Sequence, residues 1–172
     1  MRASGILRIP PRGAQCHPAR QPASAPEREE ATVGRSPVDL VEQLWQRAEA
    51  GDEAALDELV AADLRNHASS EQGRDGLRRI MDVIRNDLGE FRAEHHSTFG
   101  DHEHVTHHVT LHGVHRASTM PLLSGVAPSG RPVAWTFIHI WRAQDGVLAE
   151  HWACRDDVGL LAQVGGWPPA GR

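Results

Sequence analysis

Two aromatic and β-branched segments on either side of one tight turn constrain the fold of this chain more than any other feature. The segments cover residues 132–142 and 147–156, and Asp145-Gly146 lies between them. This arrangement predicts a β-hairpin, because Asp and Gly tolerate the backbone conformation that a two-residue hairpin turn requires. Three of the five Trp residues lie in these segments. Large apolar rings beside a few titratable side chains are typical of a small-molecule pocket.

Composition indicates a globular chain and disfavours two classes of partner. The 172 residues, 40% apolar and 24% charged, are enough for one domain with its own core. The formal net charge of −5 argues against nucleic acid, because binding phosphates requires a basic surface. No apolar segment approaches the length of a membrane span, and the N-terminus lacks the apolar part of a secretory signal. We therefore expect a cytoplasmic protein with no membrane partner.

Helix signals fill the first half of the part that is expected to fold. Residues 1–35 are rich in Pro, Arg, Ala, Ser and Gly and predict a disordered tail, although an arm that packs on a partner is the alternative. Ser36-Pro37 is a good helix start, and Gly51 ends that helix. Asp52 can cap a second helix, and the apolar stripe of residues 77–88 predicts a third.

Alternating patterns replace the helical period after residue 89. Residues 91–99 could form a strand, and residues 103–116 alternate strongly, so their more apolar odd positions should face the core. Those positions are Val105, His107, Val109, Leu111, Gly113 and His115. Helices followed by antiparallel strands predict an α+β domain over residues 36–166, with a curved sheet, helices on one face and a tail at 167–172. We expect Cys154, on a strand, to be a small buried apolar residue.

An ordered set of short motifs in this chain resembles the SnoaL-like polyketide cyclase (ester cyclase) family. They are Asn66-His67, Gly113-Val114-His115, Ile138-His139-Ile140-Trp141-Arg142, Asp145-Gly146, Glu150-His151-Trp152 and Gly159-Leu160-Leu161. The resemblance covers residues 36–166. It implies the nuclear transport factor 2-like fold: a cone-shaped, bent antiparallel sheet with the N-terminal helices on its concave face, forming an α+β barrel around a pocket.

The resemblance also implies a chemistry. The studied cyclases close a ring by an intramolecular aldol-type reaction without a metal, so no cofactor is expected. A carboxylate and a His handle the proton beside a bound ester. In those enzymes an acid directly follows the His-Trp pair, whereas Ala153 stands there in this chain. Asp156, a position also common across the wider family, is retained. A non-catalytic binding module of the same shape is therefore the alternative function.

The pairing of the two hairpin strands decides which side chains share a face. If Asp145 and Gly146 are the central turn residues, His139 lies opposite Trp152 and Asp156 joins the face of His139. A three-residue loop with a Gly bulge instead places His139 opposite His151, brings Ala153 to that face and removes Asp156. Apolar burial favours the first register and the acid position of the family favours the second. A bulge nearer Asp156 could reconcile them.

Two hairpin residues are the candidate catalytic groups. Asp156 could act as a general base or acid next to a substrate carbonyl, or it could simply cap a terminal turn over residues 158–160. His139 could donate a proton or hydrogen bond to a developing enolate, or be a core His satisfied by a neighbour. An aromatic wall of Trp135, Phe137 and Trp152 should contact a small hydrophobic substrate or ligand.

The remaining His residues fall into two groups. His67 could cover the mouth of the pocket or be a solvated loop residue, and His107 and His115 on the core-facing side are candidates for substrate contact. His104, His108 and His112 share the other face of one strand at intervals of about 13 Å. That interval is too long for two of them to bind one metal ion, so no metal site is expected. This stripe should be a polar outer face or a subunit interface, and we expect a homodimer.

Overall fold

A computed structural model of the chain describes residues 35–168. The elements are α1 (Pro37–Glu49), α2 (Ala54–Leu59), β1 (Val60–Asn66), α3 (Gly73–Asp87), β2 (Leu88–Gly100), β3 (His104–His115), β4 (Pro132–Gln144), β5 (Val147–Arg155) and α4 (Asp157–Val164). A single 3₁₀ turn at Pro121–Leu123 interrupts the loop between β3 and β4. The predicted N-terminal tail lies outside the described residues except for Arg35, as do residues 169–172.

The five strands form one curved sheet in the order β1-β5-β4-β3-β2. All neighbours are antiparallel except β1 and β5, which are parallel. The predicted α+β architecture is confirmed, with helices packed on the sheet. The sequence interpretation missed β1, because Val60 continues the apolar spacing of α2 and the stretch from Asp63 onward is mostly polar. Its partner β5 is more than 80 residues away, so no local pattern marks it as a strand.

Helix α1 begins at Ser36, as predicted. The Asp39 backbone N–H donates to Ser36 Oγ at 3.2 Å, and the Ser36 N–H donates to Asp39 Oδ2 at 3.0 Å, which completes a capping box. Leu40 and Leu44 on one face of the helix are buried against the sheet. This packing sets the helix across the sheet and fixes Trp45 above strands β2, β3 and β4.

Strand β3 shows the predicted alternation, since all six of its odd positions are buried. Three of them, Val105, Val109 and Leu111, belong to two apolar clusters. One cluster lies under α1, α2 and the start of α3, and the other lies between the middle of the sheet and α4. Together the clusters leave the concave face of β4 and β5 partly uncovered, and the candidate site lies there.

The hairpin turn is the predicted two-residue turn, with positive φ at Asp145 (51°) and Gly146 (80°) and with Gln144 opposite Val147. Both predicted registers are nevertheless wrong further along the strands. A bulge leaves Ala149 without a partner, so that His139 lies opposite Ala153. The observed face nevertheless carries the residues that the three-residue loop predicted: Ala153 shares the face of His139, and Asp156 does not.

The convex face of the sheet is more exposed than the concave face. Ile138 is 44% exposed and Ile140 is 39% exposed on this side of β4. Cys154 is exposed there as well, so its predicted burial is wrong: the bulge turned it outward. The expected homodimer stays a prediction. No helix within the described residues is long and apolar enough to cross a membrane.

A buried carboxylate fixes the loop that follows β3. Asp87, at the end of α3, is fully buried. It accepts hydrogen bonds from Thr119 Oγ1 at 2.7 Å and from the backbone N–H groups of Thr119 and Met120, each at 2.8 Å. We expect Asp87→Ala to lower the free energy of unfolding by about 3 kcal/mol, because buried donors lose their acceptor. Urea denaturation measures this change.

The matched control is Asp82→Ala, which removes an exposed carboxylate from the same helix. It should change the free energy of unfolding by no more than about 0.5 kcal/mol. Equal effects of the two substitutions would show that lost charge, rather than lost hydrogen bonds, weakens the protein.

Candidate functional site

A cavity of about 560 Å³ lies between helices α1 and α3 and the concave face of the sheet. Most of its wall is apolar, with contributions from Trp45, Met81, Ile84, Phe91, Trp135 and Phe137. The size and lining are those of a site for a small hydrophobic molecule. Its polar wall residues on the sheet are Asn66, His139, His151 and Arg155.

Three of these polar residues form a hydrogen-bonded chain across strands β4, β5 and β1. His139 Nδ1 lies 2.9 Å from His151 Nε2, and His151 Nδ1 lies 3.1 Å from Asn66 Oδ1. The three side chains are buried, with exposures of 8%, 5% and 4% respectively. The parallel pairing of β1 with β5 places Asn66 directly beside His151. The missed strand β1 is therefore part of the site.

The hydrogen bonds assign the tautomers of both rings. The Ala68 backbone N–H donates to Asn66 Oδ1 at 3.1 Å, so this atom is the amide oxygen and an acceptor. His151 must then carry its proton on Nδ1, which leaves Nε2 to accept from His139 Nδ1–H. His139 Nε2 consequently holds a lone pair. It is buried, and no other group of residues 35–168 hydrogen-bonds to it.

Burial keeps both rings neutral. It lowers the pKa of His151 to about 4, with a further contribution from the nearby imidazole of His67. Burial also holds the pKa of His139 well below its ordinary value, and the His151 ring acts in the same direction. Near neutral pH, His139 is therefore a neutral imidazole whose ring lines the cavity and whose buried Nε2 is a hydrogen-bond acceptor.

Tryptophan residues supply buried donors near this acceptor. Trp45 Nε1 and Trp141 Nε1 have no hydrogen-bond partner in the part of the chain that the structure describes, and both side chains line the cavity. The Trp45 ring lies 5.9 Å from the His139 ring, centroid to centroid. A cavity wall with unpaired donors and an unpaired acceptor can bind a ligand that carries both a carbonyl and a hydrogen-bond donor.

A second His pair continues the row across the other half of the sheet. His107 on β3 is paired directly with His139, and their ring centroids are 6.2 Å apart. His107 Nε2 lies 2.9 Å from His95 Nδ1 on β2, and His95 Nε2 lies 3.4 Å from Glu49 Oε2. Burial lowers the pKa of His107 to about 4. One polar side chain from each strand thus forms a row over the whole sheet.

The structure brings only some of the predicted site residues to the cavity. Trp135, Phe137 and His139 line it. His107 is buried beside Trp45, outside the cavity wall. His115 is also buried and hydrogen-bonds to Ser129 Oγ at 3.1 Å and to Ser118 Oγ at 2.9 Å. These two hydrogen bonds fix the position of the loop between β3 and β4.

The other predicted residues lie away from the cavity wall. The rings of His67 and Trp152 stack on each other at 4.4 Å, and His67 Nε2 lies 2.8 Å from Glu150 Oε2. Asp156 is exposed, and its Oδ1 accepts from the Gly159 N–H at 2.9 Å at the start of α4. This is the capping geometry that was the alternative interpretation. Catalysis by Asp156 remains an untested prediction.

Sequence reasoning missed Trp45, Asn66 and Arg155 as cavity residues, and it placed His151 near His139 only in the register with the three-residue loop. Trp45 follows the helical spacing of the apolar residues of α1, and that spacing alone does not indicate a cavity residue. His151 and Arg155 face the cavity because of the bulge, which no sequence pattern marked. Within residues 35–168, no three His, Cys, Asp or Glu side chains converge so as to hold a metal ion.

Comparisons with known proteins agree with this geometry. The family model described as SnoaL-like polyketide cyclase matches residues 38–164. No curated protein matches the sequence significantly. Among solved structures, wild-type IdmH from Streptomyces antibioticus is similar, with 27% identity over 76% of this chain and 99% of that chain and a TM-score of 0.64.

Two further structures have the same fold. TsrD from Streptomyces laurentii has 23% identity over 73% of this chain and 92% of that chain, with a TM-score of 0.64. A SnoaL-like protein from Jannaschia sp. CCS1 has 18% identity over 78% of this chain and 98% of that chain, with a TM-score of 0.65. The family match spans nearly all described residues, and this chain belongs to the SnoaL-like polyketide cyclase family.

Proposed function

We propose that this protein is an acid–base enzyme that removes a proton next to a carbonyl group of a hydrophobic substrate, leading to ring closure or isomerisation. Its membership of the SnoaL-like family supports this class of reaction. The observation that carries the proposal is the lone pair on His139 Nε2, which is buried at an apolar cavity and held in one tautomer by His151 and Asn66.

The proton balance of the proposed step is simple. His139 Nε2 takes a proton from the carbon, and the electron pair of the broken C–H bond becomes an enolate. In ring closure the enolate carbon attacks a second carbonyl of the same molecule, and the His139 imidazolium returns its proton to the new alkoxide. The indole N–H groups of Trp45 and Trp141 are the available donors for the enolate oxygen.

The low pKa of His139 narrows the substrate class. A base whose pKa is lowered by burial acts best on a carbon acid that is itself activated. A methylene group between two carbonyls meets this requirement, whereas an ordinary ketone does not. The apolar wall then favours substrates with a hydrophobic ring or chain beside the two carbonyls.

Deuterium exchange tests the proposal directly. A panel of aromatic β-keto esters is incubated with the protein in deuterated buffer, and mass spectrometry follows label at the activated methylene and any cyclised product. We expect exchange above the buffer rate for the esters that bind. Binding of several esters without any acceleration of exchange would contradict the enzyme proposal.

Binding without acceleration of exchange would favour a non-catalytic binding module, and one observation supports this alternative. Ala153 lies directly opposite His139 and lines the cavity, at the position where the related enzymes are expected to carry an acid. His139 is therefore hydrogen-bonded through His151 to the neutral amide of Asn66 rather than to a carboxylate. A tight ligand complex with no turnover is the expected behaviour of such a module.

A further inference from the structure

The sheet side of the cavity carries one charged side chain, Arg155. The carboxylates that line the cavity belong to Glu49 and Glu71, and neither residue lies on a strand. Glu71 accepts from Arg79 Nε and Nη2 at 2.9 and 2.6 Å, and Glu49 Oε2 lies 3.4 Å from His95 Nε2. In the described part of the chain, the sheet wall of the cavity therefore has a positive charge and no acid.

The position of Arg155 follows from the alternation of strand β5. His151, Ala153 and Arg155 share the concave face, and Arg155 lies opposite Phe137. The guanidinium carbon lies 5.6 Å from the centroid of the Trp135 ring, so the cation packs on an aromatic face of the cavity wall. This packing holds the charged group beside the apolar part of the cavity.

Most hydrogen-bond donors of Arg155 are unused. Its Nη2 donates to Asp157 Oδ2 at 3.1 Å, and this is the only hydrogen bond of the side chain to residues 35–168. Asp157 is itself held in place, because its Oδ1 accepts from Trp135 Nε1 at 3.2 Å. The Arg155 side chain is 35% exposed, so a ligand can reach Nε and Nη1. A carboxylate suits such a group best, since its two oxygens match two parallel N–H donors.

Ala153 leaves this guanidinium without a competitor on its own strand. It precedes Arg155 by two residues on the same face, a distance of about 7 Å along β5. An Asp or Glu at this position, where the related enzymes are expected to carry an acid, would be close enough to pair with Arg155. With Ala153 in this place, the ligand can supply the acid instead.

The charge of Arg155 also acts on the two His residues of the cavity wall. Burial lowers the pKa of His139 and of His151, and the positive charge of Arg155 adds to this effect on both rings. The polar part of the cavity wall therefore lies in a positive field, which favours an anionic ligand.

We propose that Arg155 binds a carboxylate of the ligand, so that the protein selects hydrophobic dicarbonyl acids over the corresponding neutral esters. The carboxylate stays at the partly exposed guanidinium, and the apolar part of the ligand lies against the aromatic wall. Because Phe137 lies opposite Arg155, His139 is two residues, or about 7 Å, further along β4. This spacing brings a methylene close to the carboxyl group towards the His139 ring. The role of Arg155 in turnover rests on the proposed function, whereas the binding of the acid does not.

Calorimetric titration with benzoylpyruvate and with its methyl ester tests the proposal. Both probes carry an aromatic ring and two carbonyls that flank one methylene, and only benzoylpyruvate has a carboxylate. We expect the acid to bind at least about ten-fold more tightly than the ester, because hydrogen bonds to a charged partner are stronger than those to a neutral one. Equal affinities, or no binding of the acid, would overturn the proposal.

Variants of Arg155 identify the group that is responsible. Arg155→Gln should remove the preference for the acid and leave the affinity for the ester near that of the wild type, which also shows that the cavity is intact. Arg155→Lys keeps the charge without the planar fork, so it should lower the preference without abolishing it. Arg65→Gln removes the same charge from an exposed position of β1 outside the cavity, and this matched control should keep the full preference.

The other Arg of the cavity without a carboxylate partner in the described residues is Arg85, which donates to the Ala48 carbonyl at 3.2 Å. A preference that survives in both Arg155 variants, or that is lost in Arg85→Gln instead, would overturn the proposal. Neither titration requires turnover. Failure of the deuterium exchange assay would therefore leave this result unaffected, and the two proposals can fail separately.

Discussion

Replacing His139 by Gln should lower the rate of methylene deuterium exchange by about 100- to 10,000-fold, the usual contribution of a positioned general base. Gln fits a similar volume, and its amide N–H group can still donate to His151 Nε2, so the buried chain to Asn66 keeps its partners. What is lost is the lone pair on Nε2. Ligand affinity should change much less than the exchange rate, because the apolar wall of the cavity is untouched.

Two further variants make this experiment specific. His104→Gln changes an exposed ring at the start of β3 and should behave like the wild type in both rate and affinity. His151→Gln should reduce the rate less than His139→Gln, since it removes only the group that holds the tautomer. A His139→Gln protein that exchanges deuterium at the wild-type rate would rule out His139 as the base.

The second large effect is expected on mild acidification. Burial lowers the pKa of both His107 and His151 to about 4, whereas an unfolded chain binds a proton to each ring at about 6.5. Below pH 6.5 the unfolded state therefore binds more protons than the folded state, and the free energy of unfolding decreases as the pH is lowered. Each ring contributes about 2 kcal/mol at pH 5, so the pair should lower the free energy of unfolding by about 4 kcal/mol between pH 7.5 and 5.

His139, whose pKa is also lowered by burial, acts in the same direction. The carboxylates with lowered pKa, such as Asp52 and Asp57, lose their stabilising effect only at more acidic pH and do not obscure this window. Urea denaturation at several pH values measures the slope. His151→Gln should flatten it, and the exposed control His104→Gln should leave it unchanged. A wild-type stability that is constant from pH 7.5 to 5 would contradict the neutral buried rings.

Sequence patterns predicted those parts of the fold that depend on neighbours in the chain. The helix start at Ser36, the alternation of β3 and the turn at Asp145-Gly146 are local, and all three are confirmed. Strand β1 depends on contact with a segment more than 80 residues away, and the register of β5 depends on a bulge that no residue pattern marks. A sequence window contains no information about such contacts, which is why both were missed.

The same division applies to the site. Trp135, Phe137 and His139 were placed correctly on the cavity wall because their spacing along one regular strand fixes a common face. The partners that determine the chemistry of His139 come from other elements: His151 from the far side of a bulge and Asn66 from a parallel strand. Glu49 and His95 likewise meet only after α1 has packed across the sheet.

The bulge at Ala149 adds one unpaired residue to strand β5 between the turn and the cavity. Because Gln144 pairs with Val147 and Arg142 with Glu150, a chain shortened by Ala149 would pair regularly along its whole length. His151, Ala153 and Arg155 would keep their places opposite β4. Length changes at the hairpin tip can thus be absorbed before they reach the cavity, so the loop can vary in length while the residues that line the cavity keep their register.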